Sequence, residues 1–167
     1  IKELSFGQVK ALYTGAVKKW NELDPSYPAT AIKLISREAN CGTYDFFKEH
    51  VMKGADFASN TTYLAATAAI VTAIGKDKDS IGFGGVAYFT HGGNFRVVPI
   101  KAEKNKPAVS PLNATGHADL NAIRDGAYPI SRPLFWYTAK APTVSQKAFI
   151  DWAMSAQGQQ VVLKEEY

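Results

Sequence analysis

Residues 32–47 read Ile-Lys-Leu-Ile-Ser-Arg-Glu-Ala-Asn-Cys-Gly-Thr-Tyr-Asp-Phe-Phe, and their reading decides the fold class. Ile32 to Ile35 is a short apolar run of the length of a buried strand, and it stops at a polar stretch, Ser36 to Thr43. Beyond that stretch Thr43, Phe46, Phe47, His50 and Val51 recur at i, i+3, i+4, i+7 and i+8. This spacing predicts a helix that stops at Gly54, with His50 partly buried on its apolar face. A strand that feeds a helix through a short polar turn is the repeating step of an α/β layer.

The turn carries the chemistry. Arg37 brings a guanidinium, Ser36 and Thr43 hydroxyls, Cys41 a thiol, and Gly42 a backbone that a ligand can approach closely. The first N–H groups of the helix, those of Gly42, Thr43 and Tyr44, have no partner within it and lie at the positive end of its dipole. Together Ser36, Arg37, Cys41, Gly42, Thr43 and Tyr44 form a candidate site for a tetrahedral oxyanion. The same residues also read as a plain structural corner, with Thr43 as N-cap, Gly42 as turn residue and Arg37 as a solvated charge.

Five stretches in order resemble one family. Ile-Ser-Arg-Glu-Ala-Asn-Cys-Gly-Thr (35–43) resembles the Arg-x-x-x-Ser-Gly-Thr anion loop of the phosphate-binding proteins that serve ABC-type phosphate importers, a type II periplasmic-binding-protein branch. Ahead of it, Leu4 to Val9 and Tyr13-Thr14-Gly15 to Trp20 resemble the family's helix and Gly-x-x-x-x-Trp segment. After it, Ser80 to Tyr88 resembles a Gly-rich strand-to-helix turn, Tyr128 to Leu134 a returning strand, and Phe149 to Gln159 the last helices.

The resemblance implies an α/β lobe with a central mixed β-sheet flanked by helices. Residues 1–126 correspond to the family's second, anion-binding lobe, and residues 127–167 to a C-terminal return that belongs to the other lobe. The N-terminal part of the first lobe, with a carboxylate that accepts a proton from phosphate, has no counterpart in this stretch. Arg37, Gly42 and Thr43 carry over from the family loop, Cys41 stands where it has serine, and Ser36 and Tyr44 are added from the residues alone. The implied function is non-enzymatic binding of inorganic phosphate or sulfate, periplasmic or extracellular, for delivery to an ABC transporter permease. No cofactor is expected.

Composition narrows the alternatives. A chain of 167 residues with 46% hydrophobic and 20% charged residues is an ordinary globular sequence of one core. The net charge of +4 comes from scattered lysines without a basic run, which speaks against a nucleic-acid partner and suits an anionic ligand. No apolar run is long enough to span a membrane. One cysteine excludes an internal disulfide, and three separated histidines match no metal-ligand spacing.

The remaining elements follow from local signals. Ser5-x-x-Gln8 is a capping box, with Leu4 and Val9 as its hydrophobic staple, and predicts a helix over 6–13 ending at Gly15. A short turn over 18–23 seats Trp20. Helices are expected over 61–74, closed by Gly75, over 86–89, and over 118–125; strands over 80–84, 95–100 and 130–138. Thr143-x-x-Gln146 is a second capping box, whose helix runs to a break at Gln157-Gly158.

Two rival functions use the same residues. An enzyme could employ Cys41 as nucleophile on a phosphorylated substrate, because a helix N-terminus and an arginine activate a thiol. None of His50, His91 and His117 is fixed beside it as a base. A protein-interaction or sensor module would use the aromatic strand 134–137, which also points to self-association.

Overall fold

In a computed structural model, which describes residues 1–166, the chain is an α/β assembly built on two small parallel sheets. β1 (Leu4–Ser5) leads straight into α1 (Phe6–Tyr13), and the capping box forms as expected. The Ser5 hydroxyl accepts from the Gln8 N–H at 3.3 Å while the Gln8 side chain accepts from the Ser5 N–H at 2.9 Å. Leu4 and Val9 are buried, so the staple is closed. A 3₁₀ turn, Trp20–Glu22, buries Trp20.

β2 (Lys33–Arg37) is the middle strand of the main sheet, between β3 (Thr62–Leu64) and β4 (Ser80–Ile81), all parallel. β1 pairs separately with β5 (Ile100–Lys101), also parallel. The antiparallel component of the expected mixed sheet is confined to single bridges such as Lys19 with Ala31. Tyr13 joins α1 to the sheet. Its buried hydroxyl donates toward the carbonyl of Ile35, in the middle of β2, at 3.2 Å and that of Ile81, at the end of β4, at 3.3 Å, and burial pushes its pKa well up. Its ring is edge-on to Phe47, Phe57 and Phe83, an arrangement aromatic quadrupoles favour.

The helix after the polar turn begins one residue earlier than expected. α2 (Gly42–Phe46) has Cys41, not Thr43, as N-cap, and continues as a π-helical turn, Phe47–Val51, with the Met52 N–H donating to Phe47 O. Phe47 and Val51 are buried, as their spacing predicts. His50 is exposed instead of partly buried. Its ring stacks on Phe46 at 4.9 Å and meets Phe6 edge-on, which is an aromatic seat on the surface.

Other expectations need correction. The helix of 61–74 is split: β-branched Thr62 with Tyr63 and Leu64 supply β3, and α3 (Thr67–Lys76) starts later, with Gly75 inside it. The strand over 80–84 ends at Ile81, because Gly82 and Gly84 lie against α3 at distances only glycine permits. The strand over 95–100 shrinks to β5, since Pro99 has no N–H to donate. α4 (Leu120–Arg124), capped by Asp119, replaces the longer helix of 118–125.

The expected strand 130–138 does not form. Pro133 interrupts it, no described strand offers it an edge, and Leu134, Phe135, Trp136 and Tyr137 stand exposed. α5 (Val144–Ala153) forms with its capping box intact but stops at Met154. Ser155 then caps α6 (Ala156–Lys164). Gly158, expected as a break, is the buried residue of α6: a Cβ there would stand 2.4 Å from the Trp152 carbonyl oxygen, so glycine allows α6 to fold back on α5.

Candidate functional site

The site is built on the C-terminal end of β2, where Arg37 is the last strand residue and Cys41 the cap of α2. In parallel α/β sheets ligands bind at this carboxyl edge, where loops diverge to helices. The backbone holds the turn to the next strand through the Glu38 N–H, which donates to Leu64 O at 3.2 Å. Beneath α2, Phe47 stacks on Phe83 at 3.7 Å and Tyr44 on Phe57 at 5.0 Å, which fixes the helix over the aromatic cluster of Tyr13.

Arg37 reaches sideways to the start of α3. Its Nη2 donates to the Ala65 carbonyl at 2.8 Å and its Nη1 to the Thr67 hydroxyl at 3.1 Å. Nε is buried and finds no partner among the described residues. Two of five N–H groups are thus spent on holding the guanidinium, and the second hydrogens of Nη1 and Nη2 make no hydrogen bond among the described residues. Thr67 and Ala65 are site-supporting residues that sequence reasoning missed. Their contribution depends on where β3 ends, which the Ala-rich segment hid inside an expected helix.

The remaining candidates separate by geometry. The N–H groups of Gly42 and Thr43 lie in the first turn of α2 and have no intrahelical partner. The Tyr44 N–H does not share that freedom, because it donates to Cys41 O at 3.0 Å, and its ring packs against Phe57. Cys41 is half-buried, and its thiol makes no capping hydrogen bond. Ser36 is 0% exposed and its hydroxyl donates to Arg37 O at 3.1 Å, a bond within β2 itself. The Gly-rich turn packs as a structural element. A Cβ on Gly82 would meet Ile70 at 2.6 Å and one on Gly84 would meet Thr67 at 2.3 Å. Among the described residues no cluster of His, Cys, Asp and Glu is arranged to hold a metal, and no helix is long and apolar enough to cross a membrane.

One further cation reaches the loop. Arg132, on the segment that follows Tyr128, lies with its guanidinium carbon 5.5 Å above the Phe46 ring. Its Nη2 is 3.2 Å from the position a Cβ on Gly42 would take. The segment is docked there by Pro129, whose carbonyl is 3.1 Å from His50 Nε2, and by Tyr128, which packs partly buried against the core and whose phenol pKa is pushed up to about 12 by desolvation. A signal for Arg132 existed in the sequence only as part of a returning strand, not as a site residue.

The chain is similar to known proteins in sequence and in fold. The phosphate-binding protein PstS of Staphylococcus haemolyticus is 36% identical over 138 residues, covering 82% of this chain and 40% of that protein. That of Staphylococcus aureus is 32% identical over 167 residues, covering 99% of this chain and 46% of its own length. The chain therefore spans less than half of these curated relatives. Among solved structures, a Clostridium perfringens protein described as a phosphate ABC transporter substrate-binding protein, with bound phosphate, superposes with a TM-score of 0.75 at 27% identity, over 99% of this chain and 62% of that one. An ABC-type phosphate transport receptor from Vibrio cholerae shares the fold at a TM-score of 0.71 and 18% identity, over 100% of this chain and 64% of its own. The signature described as a PBP superfamily domain matches residues 1–157, and the chain belongs to that superfamily.

Proposed function

We propose that the chain binds inorganic phosphate, or a similar tetrahedral oxyanion such as sulfate, without transforming it, as the receptor part of an uptake system. The observation that carries this reading is the Arg37 guanidinium, anchored by Ala65 and Thr67 at the end of β2, on the strand whose loop leads into the unpaired first N–H groups of α2. Charge-assisted bonds from a fixed guanidinium and backbone N–H groups match the oxygens of a tetrahedral anion. Arg37, Gly42 and Thr43 are the donors, with Cys41 contributing its thiol. Tyr44 supports the helix through its ring, and Ser36 supports the strand.

Residues 1–126 form the anion lobe in this reading, and residues 127–167 the return toward a second lobe. Tyr167 lies outside the described residues. The receptor works on the periplasmic or extracellular side and hands its anion to an ABC transporter permease. The cysteine-enzyme reading has weaker support, because no described histidine is hydrogen-bonded to Cys41. The exposed aromatic segment supports association of the chain with a second copy of itself.

Titration with inorganic phosphate, followed by calorimetry and backbone NMR, tests the site. Each charge-assisted bond is worth about 1.5–3 kcal/mol, so Arg37→Ala should abolish detectable binding. In the unaltered chain the shifted resonances should lie at 37–44. Shifts that spare this loop would place the anion elsewhere.

A further inference from the structure

We propose that Arg132 is a second guanidinium of the anion site, delivered across Gly42 by the return segment and held on the face of Phe46. The inference rests on the phosphate-site reading above and adds a residue to it. Three observations converge. The Arg132 guanidinium lies over the Phe46 ring at 5.5 Å, a geometry in which the ring quadrupole holds the cation without consuming its N–H groups. No described carboxylate is within ion-pair distance of it, and it makes no hydrogen bond among the described residues. Its Nη2 and Nη1 occupy space 3.2 and 3.6 Å from where a side chain at position 42 would begin.

Gly42 therefore has a use beyond the turn. Its φ is helical, not left-handed, so backbone conformation does not demand glycine there. What the missing Cβ supplies is room for a planar cation against the loop. Arg37 enters that loop at one end, anchored to Ala65 and Thr67 and with a buried N–H still unpaired, and Arg132 covers it at the other. Two guanidiniums and a turn of free N–H groups favour a doubly charged oxyanion over a singly charged one. The return segment is docked separately by the His50 contact to Pro129, so Arg132 is positioned independently of the anion.

The test uses the 167-residue chain and inorganic phosphate. Arg132→Ala should lower phosphate affinity about tenfold or more, the loss of one charge-assisted contact, with an unchanged thermal midpoint. Arg132→Lys, which keeps the charge but not the planar fork, should fall between. Added guanidinium ion should restore part of the affinity of Arg132→Ala and none to Arg37→Ala. Gly42→Ala should displace Arg132 and lower affinity in the unaltered background by more than in Arg132→Ala. Wild-type affinity in Arg132→Ala, with binding still lost in Arg37→Ala, would overturn the role of Arg132 and leave the site standing. Absence of phosphate binding in the unaltered chain would overturn both.

Discussion

Cys41 is the residue at which sequence and site disagree most usefully. It occupies the N-cap of α2, a position that serine fills well, because a hydroxyl oxygen accepts from the helix's early N–H groups and a thiol does so weakly. The Cys41→Ser variant should therefore gain on two counts. A capped α2 raises the thermal midpoint, and a hydroxyl donor to the anion contributes on the order of 0.5–1.5 kcal/mol, or a few-fold in phosphate affinity. Bound phosphate should also protect the wild-type thiol from alkylation. Unchanged affinity together with no protection would place Cys41 outside the site, and a phosphatase activity lost in Cys41→Ser would establish the enzyme instead. At this scale the sequence revealed the donors that the turn itself carries. It did not reveal Thr67, Ala65 or Arg132, because those reach Arg37 and Gly42 only through tertiary packing, nor that the Ser36 hydroxyl is buried and bonded to the Arg37 carbonyl.

The elements show why the Gly-rich turn matters although it carries no ligand group. Gly84 lies so close to α3 that an added Cβ would stand 2.3 Å from the Thr67 Cγ2 and 3.3 Å from the Phe89 ring. Thr67 is also the residue whose hydroxyl holds Arg37. Gly84→Ala should therefore cost about 1–3 kcal/mol of stability through overpacking and weaken phosphate binding together with it, by moving α3 away from Arg37. Thr67→Ser in the same chain removes the clashing methyl and keeps the hydroxyl. The double variant should recover both stability and affinity; recovery of stability alone would mean that Thr67 does not position Arg37. Elements were legible where one strong local signal decided them, as at both capping boxes and at β2. They were misread where a tertiary neighbour decided: glycines pressed on α3 shortened β4, Pro99 shortened β5, and parallel pairing with β2 drew residues 62–64 out of an expected helix.

Across the whole molecule the α/β class could be read from the alternation of strand and helix, but the fate of the return segment could not. Residues 134–137 have the composition of a buried strand and nothing among the described residues to pair with, so Leu134 is 66% and Tyr137 88% exposed. Next to them Trp136 stacks on Phe149 at 5.3 Å, and Phe149 on Trp152 at 6.1 Å, forming a continuous aromatic face on the segment and α5. Water contact with such a face is unfavourable by roughly 25 cal/mol per Å² of apolar surface, and a single patch that matches itself across a two-fold axis is the simplest way for identical chains to cover it. The chain should therefore sediment as a concentration-dependent monomer–dimer mixture. Trp136→Ser combined with Phe149→Ser should shift it to monomer and suppress binding of an apolar dye, while far-ultraviolet circular dichroism and phosphate affinity stay unchanged, since neither residue touches the loop 37–43. A strictly monomeric wild-type chain at high concentration, with no dye binding, would show that the aromatic face does not join copies of the chain.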